Sequence, residues 1–251
     1  MTRSSPKSSV PNWALASCLA IWVVYIAARS VVYAYFPCTN WDEFFVQDAA
    51  VTLLRLACLV GVGTIAFHTL GPRKTLLGLD KGRPLWCVLA AGLWMLVSLV
   101  LFWGSSPSAP VGLLPRMGEV LIALVVAANE EVAFRGIFFG AFSQRWGDHG
   151  ASVITSILFV AVHWGVTEPW YFPFLFLIAM TLARLRSLGA SLLSLVLMRA
   201  CMDGYWVMKM PLGPSDAVDA YVTLGLMLAA GYIALEMLES PKRRRSGRPL
   251  A

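Results

Sequence analysis

Apolar residues run through this chain in long blocks, each about the length of a bilayer crossing, broken by short polar stretches. A span needs roughly 20 mostly apolar residues. The blocks fall near 13–36, 49–70, 84–103, 119–143, 150–166, 169–186, 189–208 and 217–238. The pattern predicts an all-α, polytopic membrane helix bundle of about eight transmembrane helices. Its polar head, with Arg3 and Lys7, looks like the start of a signal peptide, but the apolar run from Trp13 continues to about Phe36. That exceeds a signal h-region and no small-residue cleavage site closes it, so it reads as a retained first span.

The basic residues orient the bundle. With the N-terminus in the cytoplasm, the inner segments hold Arg3, Lys7, Arg73, Lys74, Lys81, Arg83, Arg145, Arg184, Arg186, Lys242, Arg243, Arg244, Arg245 and Arg248. The outer segments hold only Arg116 and Lys209, and the first of them is acidic, with Asp42, Glu43 and Asp48. Such a bias places both termini inside. Arg29, Arg55, Arg135 and Arg199 fall within the spans. The tail from Lys242 to Arg245 reads as a topogenic anchor, or as a site for anionic lipid headgroups.

Composition agrees with this picture. The 251 residues are 58% hydrophobic and 14% charged, with a mean hydropathy of +0.69, whereas soluble domains average about 45–50% and about 25%. The net charge of +6 is spent on topology, which leaves no basic surface for nucleic acid. Cys18, Cys38, Cys58, Cys87 and Cys201 are scattered, with no CxxC and no disulfide framework, and they read as small apolar packing residues. No internal repeat or soluble domain is visible.

One stretch breaks the apolar rule. Glu130, Glu131 and Arg135 sit at the centre of the fourth block, where ionisable groups are costly and usually mark function. On a helix Glu131 and Arg135 share a face and can pair, while Glu130 lies about 100° away and is left without that partner. A poorly solvated free carboxylate suits a general base, but a buried ion pair locking helices together, or a transporter's proton site, fits these residues as well. His163 stands in the fifth block and Arg199 and Asp203, again four apart, in the seventh. Singly, these read as a satisfied histidine and a structural ion pair. Together they call for a shared polar cavity, because burying so many polar groups apart would be expensive.

The residues resemble the intramembrane proteases of the type II CAAX prenyl endopeptidase and bacteriocin-processing group, also called glutamate intramembrane proteases. Glu130, Glu131 and Arg135 match the first motif, Glu-Glu-x-x-x-Arg, and Phe159 and His163 match the second, Phe-x-x-x-His. The third, His-x-x-x-Asn/Asp, corresponds to Arg199-x-x-x-Asp203 after Leu188-Gly189-Ala190-Ser191-Leu192, with arginine in place of histidine. The resemblance covers roughly 117–207 and implies hydrolysis of a peptide bond in or at the membrane. It implies Glu130 as the base that deprotonates water, His163 as its positioner, Arg199 and Asp203 at the oxyanion, and Glu131 with Arg135 orienting the site.

Arginine is neither a metal ligand nor a proton shuttle, and Glu130 with His163 alone makes a poor zinc site, so no cofactor is expected and a divalent metal is disfavoured. The chain divides into 1–116, a tail and three spans; 117–208, the protease-like core; and 209–251, a last span and basic tail, all one membrane unit. The expected partners are a membrane-associated peptide or protein substrate and the lipid bilayer, not nucleic acid, and the expected location is a bacterial inner membrane. The alternatives are a catalytically degenerate protein that acts by binding, as in bacteriocin immunity or scaffolding, and, more remotely, a transporter.

Overall fold

The computed structural model describes residues 10–36, 41–69, 113–164, 167 and 169–209. The expected spans near 84–103 and 217–238, the basic tail, Cys38 and Cys87 lie outside the described residues. Within them the chain is helical and has no strand. The helices are α1 (Asn12–Tyr35), α2 (Trp41–Thr69), α3 (Leu113–Glu131), α4 (Phe139–Ala161), α5 (Phe172–Ser187) and α6 (Leu192–Lys209). A π-helical segment, Val132–Phe138, joins α3 to α4, and a short 3-10 turn, Pro169–Tyr171, precedes α5. Two helical segments, Asn12–Tyr35 and Val46–Thr69, are long and apolar enough to cross a membrane.

Three boundaries differ from the hydrophobic pattern. α2 begins at Trp41, so the acidic stretch expected as an outer loop is its first two turns. The fourth block is not one regular helix, because the π segment interrupts it. The break between the fourth and fifth blocks narrows to Gly147, whose φ of 69° interrupts α4; glycine adopts that conformation without the penalty of a Cβ.

The turn into α6 is written in the Gly-x-Ser stretch. Gly189, at φ 98°, ends α5, and its N–H and that of Ala190 donate back to the carbonyls of Arg186 and Leu185. This satisfies carbonyls that the helix end would otherwise orphan. Ser191 then caps α6 by accepting a hydrogen bond from the Ser194 N–H at 3.0 Å, three residues on, as an N-cap does.

The core is apolar, yet apolar side chains also cover the outside while several charged ones are enclosed. Val23, Val24, Val31, Leu53, Val60, Leu121 and Ile157 are exposed, while Arg29, Asp48, Asn129, Glu130, Glu131, Arg135 and Arg199 are buried. Lipid is the solvent in which this distribution is stable. α3 packs along α6, α4 along α5, and α1 along α2, which in turn packs on α3. Fully buried alanines on these faces, Ala14, Ala66, Ala127, Ala179 and Ala183, let backbones approach closely. Cys18 and Cys58 are buried packing residues as expected, whereas Cys201 is exposed.

An aromatic ladder ties the first helix to the centre. Trp22 of α1 meets Phe134 edge-on at 5.1 Å, and Phe134 meets Phe159 at 5.3 Å and Phe138 at 5.4 Å in the same manner. Edge-to-face pairs add roughly 0.5–1.5 kcal/mol each beyond the area they bury. Phe134→Ala should therefore cost about 3–5 kcal/mol, read as thermal unfolding in detergent micelles, with Phe134→Leu costing clearly less. A loss under about 1 kcal/mol on the same scale would show that the ladder does not anchor the bundle.

Candidate active site

The π segment sets the site. Glu130 and Glu131 close α3, and Arg135 lies in the wider turn that follows; π-helical turns are rare and concentrate at functional sites. Glu131 and Arg135 form the expected pair, Oε1 to Nη1 at 3.1 Å, with side chains 0% and 1% exposed. Arg135 also donates from Nη2 to the Ala179 carbonyl of α5 at 3.2 Å, and its guanidinium stands 4.8 Å from the centre of the Phe159 ring. A buried ion pair persists when further hydrogen bonds offset its desolvation, and cation–π contact adds to that.

His163 lies in the turn just beyond α4, rather than within a helix as the apolar block implied. Phe159 holds it twice. The Phe159 carbonyl accepts a hydrogen bond from His163 Nδ1–H at 2.7 Å, and the two rings lie 4.7 Å apart. A carbonyl can only accept, so Nδ1 carries a proton and Nε2 is the ring nitrogen left to face outward. The spacing in Phe-x-x-x-His follows, since the carbonyl of the last helical turn lies four residues back.

Nε2 faces Glu130, 3.6 Å from Oε1. The other carboxylate oxygen, Oε2, is 3.4 Å from Nη2 of Arg199, whose Nε pairs with Asp203 Oδ2 at 3.0 Å. Glu130 is thus not the unpartnered acid that helix geometry alone suggests, because α6 brings Arg199 against it. Arg199 also leans over Phe159, 5.4 Å from the ring centre. Of the six residues singled out by sequence, Arg135, His163 and Arg199 gather around the Phe159 ring, and each holds one or two of the acids Glu130, Glu131 and Asp203 beside it.

Sequence reading missed the opposite wall. A cleft beside Glu130 and His163 is lined by Trp22, Tyr25 and Arg29 of α1, Arg55 of α2, and Val126 and Asn129 of α3, with room for about one water molecule. Arg29 donates to the Val162 carbonyl at 2.9 Å, which braces the histidine turn. Arg55 pairs with Asp48 at 2.9 Å and donates to the Tyr25 hydroxyl at 3.4 Å. The available signal was two arginines inside the first two spans, whose cost in lipid already marks them.

As a metal site the cluster is poor. Glu130 and His163 are two donors where zinc takes three or four, and the Arg199 guanidinium occupies the adjoining position. Among the described residues no group of three or more His, Cys, Asp or Glu side chains is arranged to hold an ion.

Removing one partner of a shielded ion pair strands the other charge. Glu131→Gln should cost about 3–5 kcal/mol of stability, and adding Arg135→Met should recover most of it in thermal unfolding. Equal losses for the single and double variants would mean that the pair carries no coupling.

No curated protein matches the chain. Residues 112–205 match the family described as Type II CAAX prenyl endopeptidase Rce1-like. That stretch holds Glu130, Glu131, Arg135, Phe159, His163, Arg199 and Asp203, and stops short of the α1 and α2 wall. The motif-bearing core is thus similar to the Rce1-like, type II CAAX prenyl endopeptidase family, and the two apolar helices that precede it are long enough to place the chain in a membrane.

Proposed function

We propose that the protein is an intramembrane endopeptidase in which Glu130 activates water against a peptide bond of a membrane-associated protein or peptide. One observation carries this reading. Nδ1–H is committed to Phe159, which turns Nε2 toward Glu130 Oε1 at 3.6 Å; in the proposed resting state His163 is neutral and Glu130 a carboxylate, so the two atoms are both acceptors. Two facing acceptors need a donor between them, and a water supplies two. One water proton goes to Glu130 and the other to Nε2, which leaves an oxygen lone pair aimed at the cleft. Water held in this way is a nucleophile with its general base already in place.

The neighbouring groups have supporting parts in this scheme. Arg199, held by Asp203, occupies Oε2 of Glu130 and so leaves Oε1 for the water. Glu131 and Arg135 fix the turn that carries Glu130 and form no part of the cleft wall. The chemistry runs through carboxylate and imidazole without a metal. About eight spans with both termini inside, in a bacterial inner membrane, complete the proposal on the strength of the basic-residue bias.

A second reading rests on the same ion pair. Arg199 within 3.4 Å of Glu130 neutralises the base if it stays there when substrate binds, and the protein then acts by binding alone. Glu130→Gln separates the two, because it keeps the shape and removes the base. Membrane fractions of host cells expressing wild type should contain peptide termini that are missing with Glu130→Gln, both proteins being present at equal levels. Identical termini would favour the binding protein.

Chelation supplies an independent check. Cleavage of a peptide identified in that comparison should be unchanged by EDTA with purified protein in detergent. Loss of cleavage that zinc restores would reassign Glu130 and His163 as metal ligands.

A further inference from the structure

Four arginines stand around the site, and three have an acid. Arg135 has Glu131, Arg55 has Asp48, and Arg199 has Asp203 and Glu130. Arg29 is the exception among these four. It is 7% exposed, and its contacts are a neutral carbonyl, that of Val162, and the face of Tyr25, 5.5 Å from its guanidinium carbon. Its Nε is buried without a hydrogen-bond partner, as is Nε1 of Trp22, two turns earlier on the same face of α1. Both residues line the cleft that holds Glu130 and His163. An uncompensated guanidinium in a membrane interior is expensive, and the cost is recovered when a negatively charged oxygen enters its reach.

Resting on the hydrolase reading, we propose that Arg29 is the oxyanion donor of this site, supplied by α1 from outside the family-matched segment, in place of the third motif. Arg199 is poorly placed for that task, because it already neutralises two carboxylates. Arg29 shares the cleft with Glu130 but forms no ion pair with it, so its charge is not spent on the base. As the water oxygen bonds to the carbonyl carbon, its proton passes to Glu130 and the π pair moves onto the carbonyl oxygen beside Arg29. On collapse the C–N bond breaks, the proton passes from Glu130 to the departing nitrogen, and acid and amine leave. Charge appears at Arg29 only along this path, so the interaction stabilises the transition state more than the bound substrate. The bond from Arg29 to Val162 fixes the guanidinium before substrate arrives.

The test uses purified full-length protein in detergent and a synthetic peptide spanning a cleavage site from the termini comparison. Arg29→Gln keeps a donor for the Val162 carbonyl but loses the charge, Arg29→Met loses both, and Arg29→Lys keeps the charge. Expected are a fall in kcat of about 10²–10³-fold for Gln and Met with KM nearly unchanged, and a clearly smaller fall for Lys. Thermal unfolding identifies any variant that fails to fold, and the remaining neutral variant then carries the comparison with Lys. Gln matching wild type, or Gln and Lys falling together, would overturn the assignment and leave Arg29 as a brace for the histidine turn. A change confined to KM would overturn it too. If wild type and Glu130→Gln give identical termini, the hydrolase reading itself falls and the assignment with it, an outcome distinct from an active enzyme indifferent to Arg29.

Discussion

A carboxylate and a guanidinium shut away from any solvent meet where α3 widens into its π turn, and the rest of the site hangs on that pair. Glu131 and Arg135 are 0% and 1% exposed, so neither charge can be separated from the other without a large desolvation cost. Arg135 is tied in turn to the Ala179 carbonyl of α5 and to the ring of Phe159. Once those contacts are made, the last turn of α3 has one orientation. Glu130, the next residue back, is thereby turned toward His163 and α6. The paired acid holds the backbone so that its neighbour faces the chemistry.

Phe159 is the second fixed point. One side chain is shared by Arg135, Arg199, Phe134 and His163, and its backbone carbonyl sets the tautomer of the histidine. An aromatic face attracts cations without adding a formal charge or a group that would itself need hydrogen bonds. That property suits an interior where every extra polar atom is costly. It also lets two guanidiniums share a small space while each keeps its own carboxylate.

The charges form a chain whose links differ in tightness. Glu131–Arg135 is closed and dry, and Arg199–Asp203 is close but reaches the partly exposed side chain of Asp203. The contacts of Glu130 with His163 and Arg199, at 3.6 and 3.4 Å, are looser than direct hydrogen bonds. The loosest part of the network lies beside the cleft, where a small molecule could join it. Tight pairs position, and loose ones leave room for reaction.

Much of this was legible before any fold was known, for a definite reason. Helical periodicity puts residues four apart on one face, so Glu131 with Arg135 and Arg199 with Asp203 were readable as pairs. The expense of charge in lipid marked the same residues as functional candidates. Long apolar blocks gave the helical class, although they overran the π segment and placed His163 in a helix, because composition does not register a change in hydrogen-bond pattern. What local spacing could not supply was the meeting of helices distant in sequence. Arg199 against Glu130, Phe159 between two guanidiniums, and Arg29 and Arg55 walling the cleft all depend on how α1, α2 and α6 pack. The sequence by itself determined which charges must be buried and which neighbours along a helix could share the burden. Only the tertiary structure decided which charge was left without an acid, since that depends on distances between helices and not on positions along one.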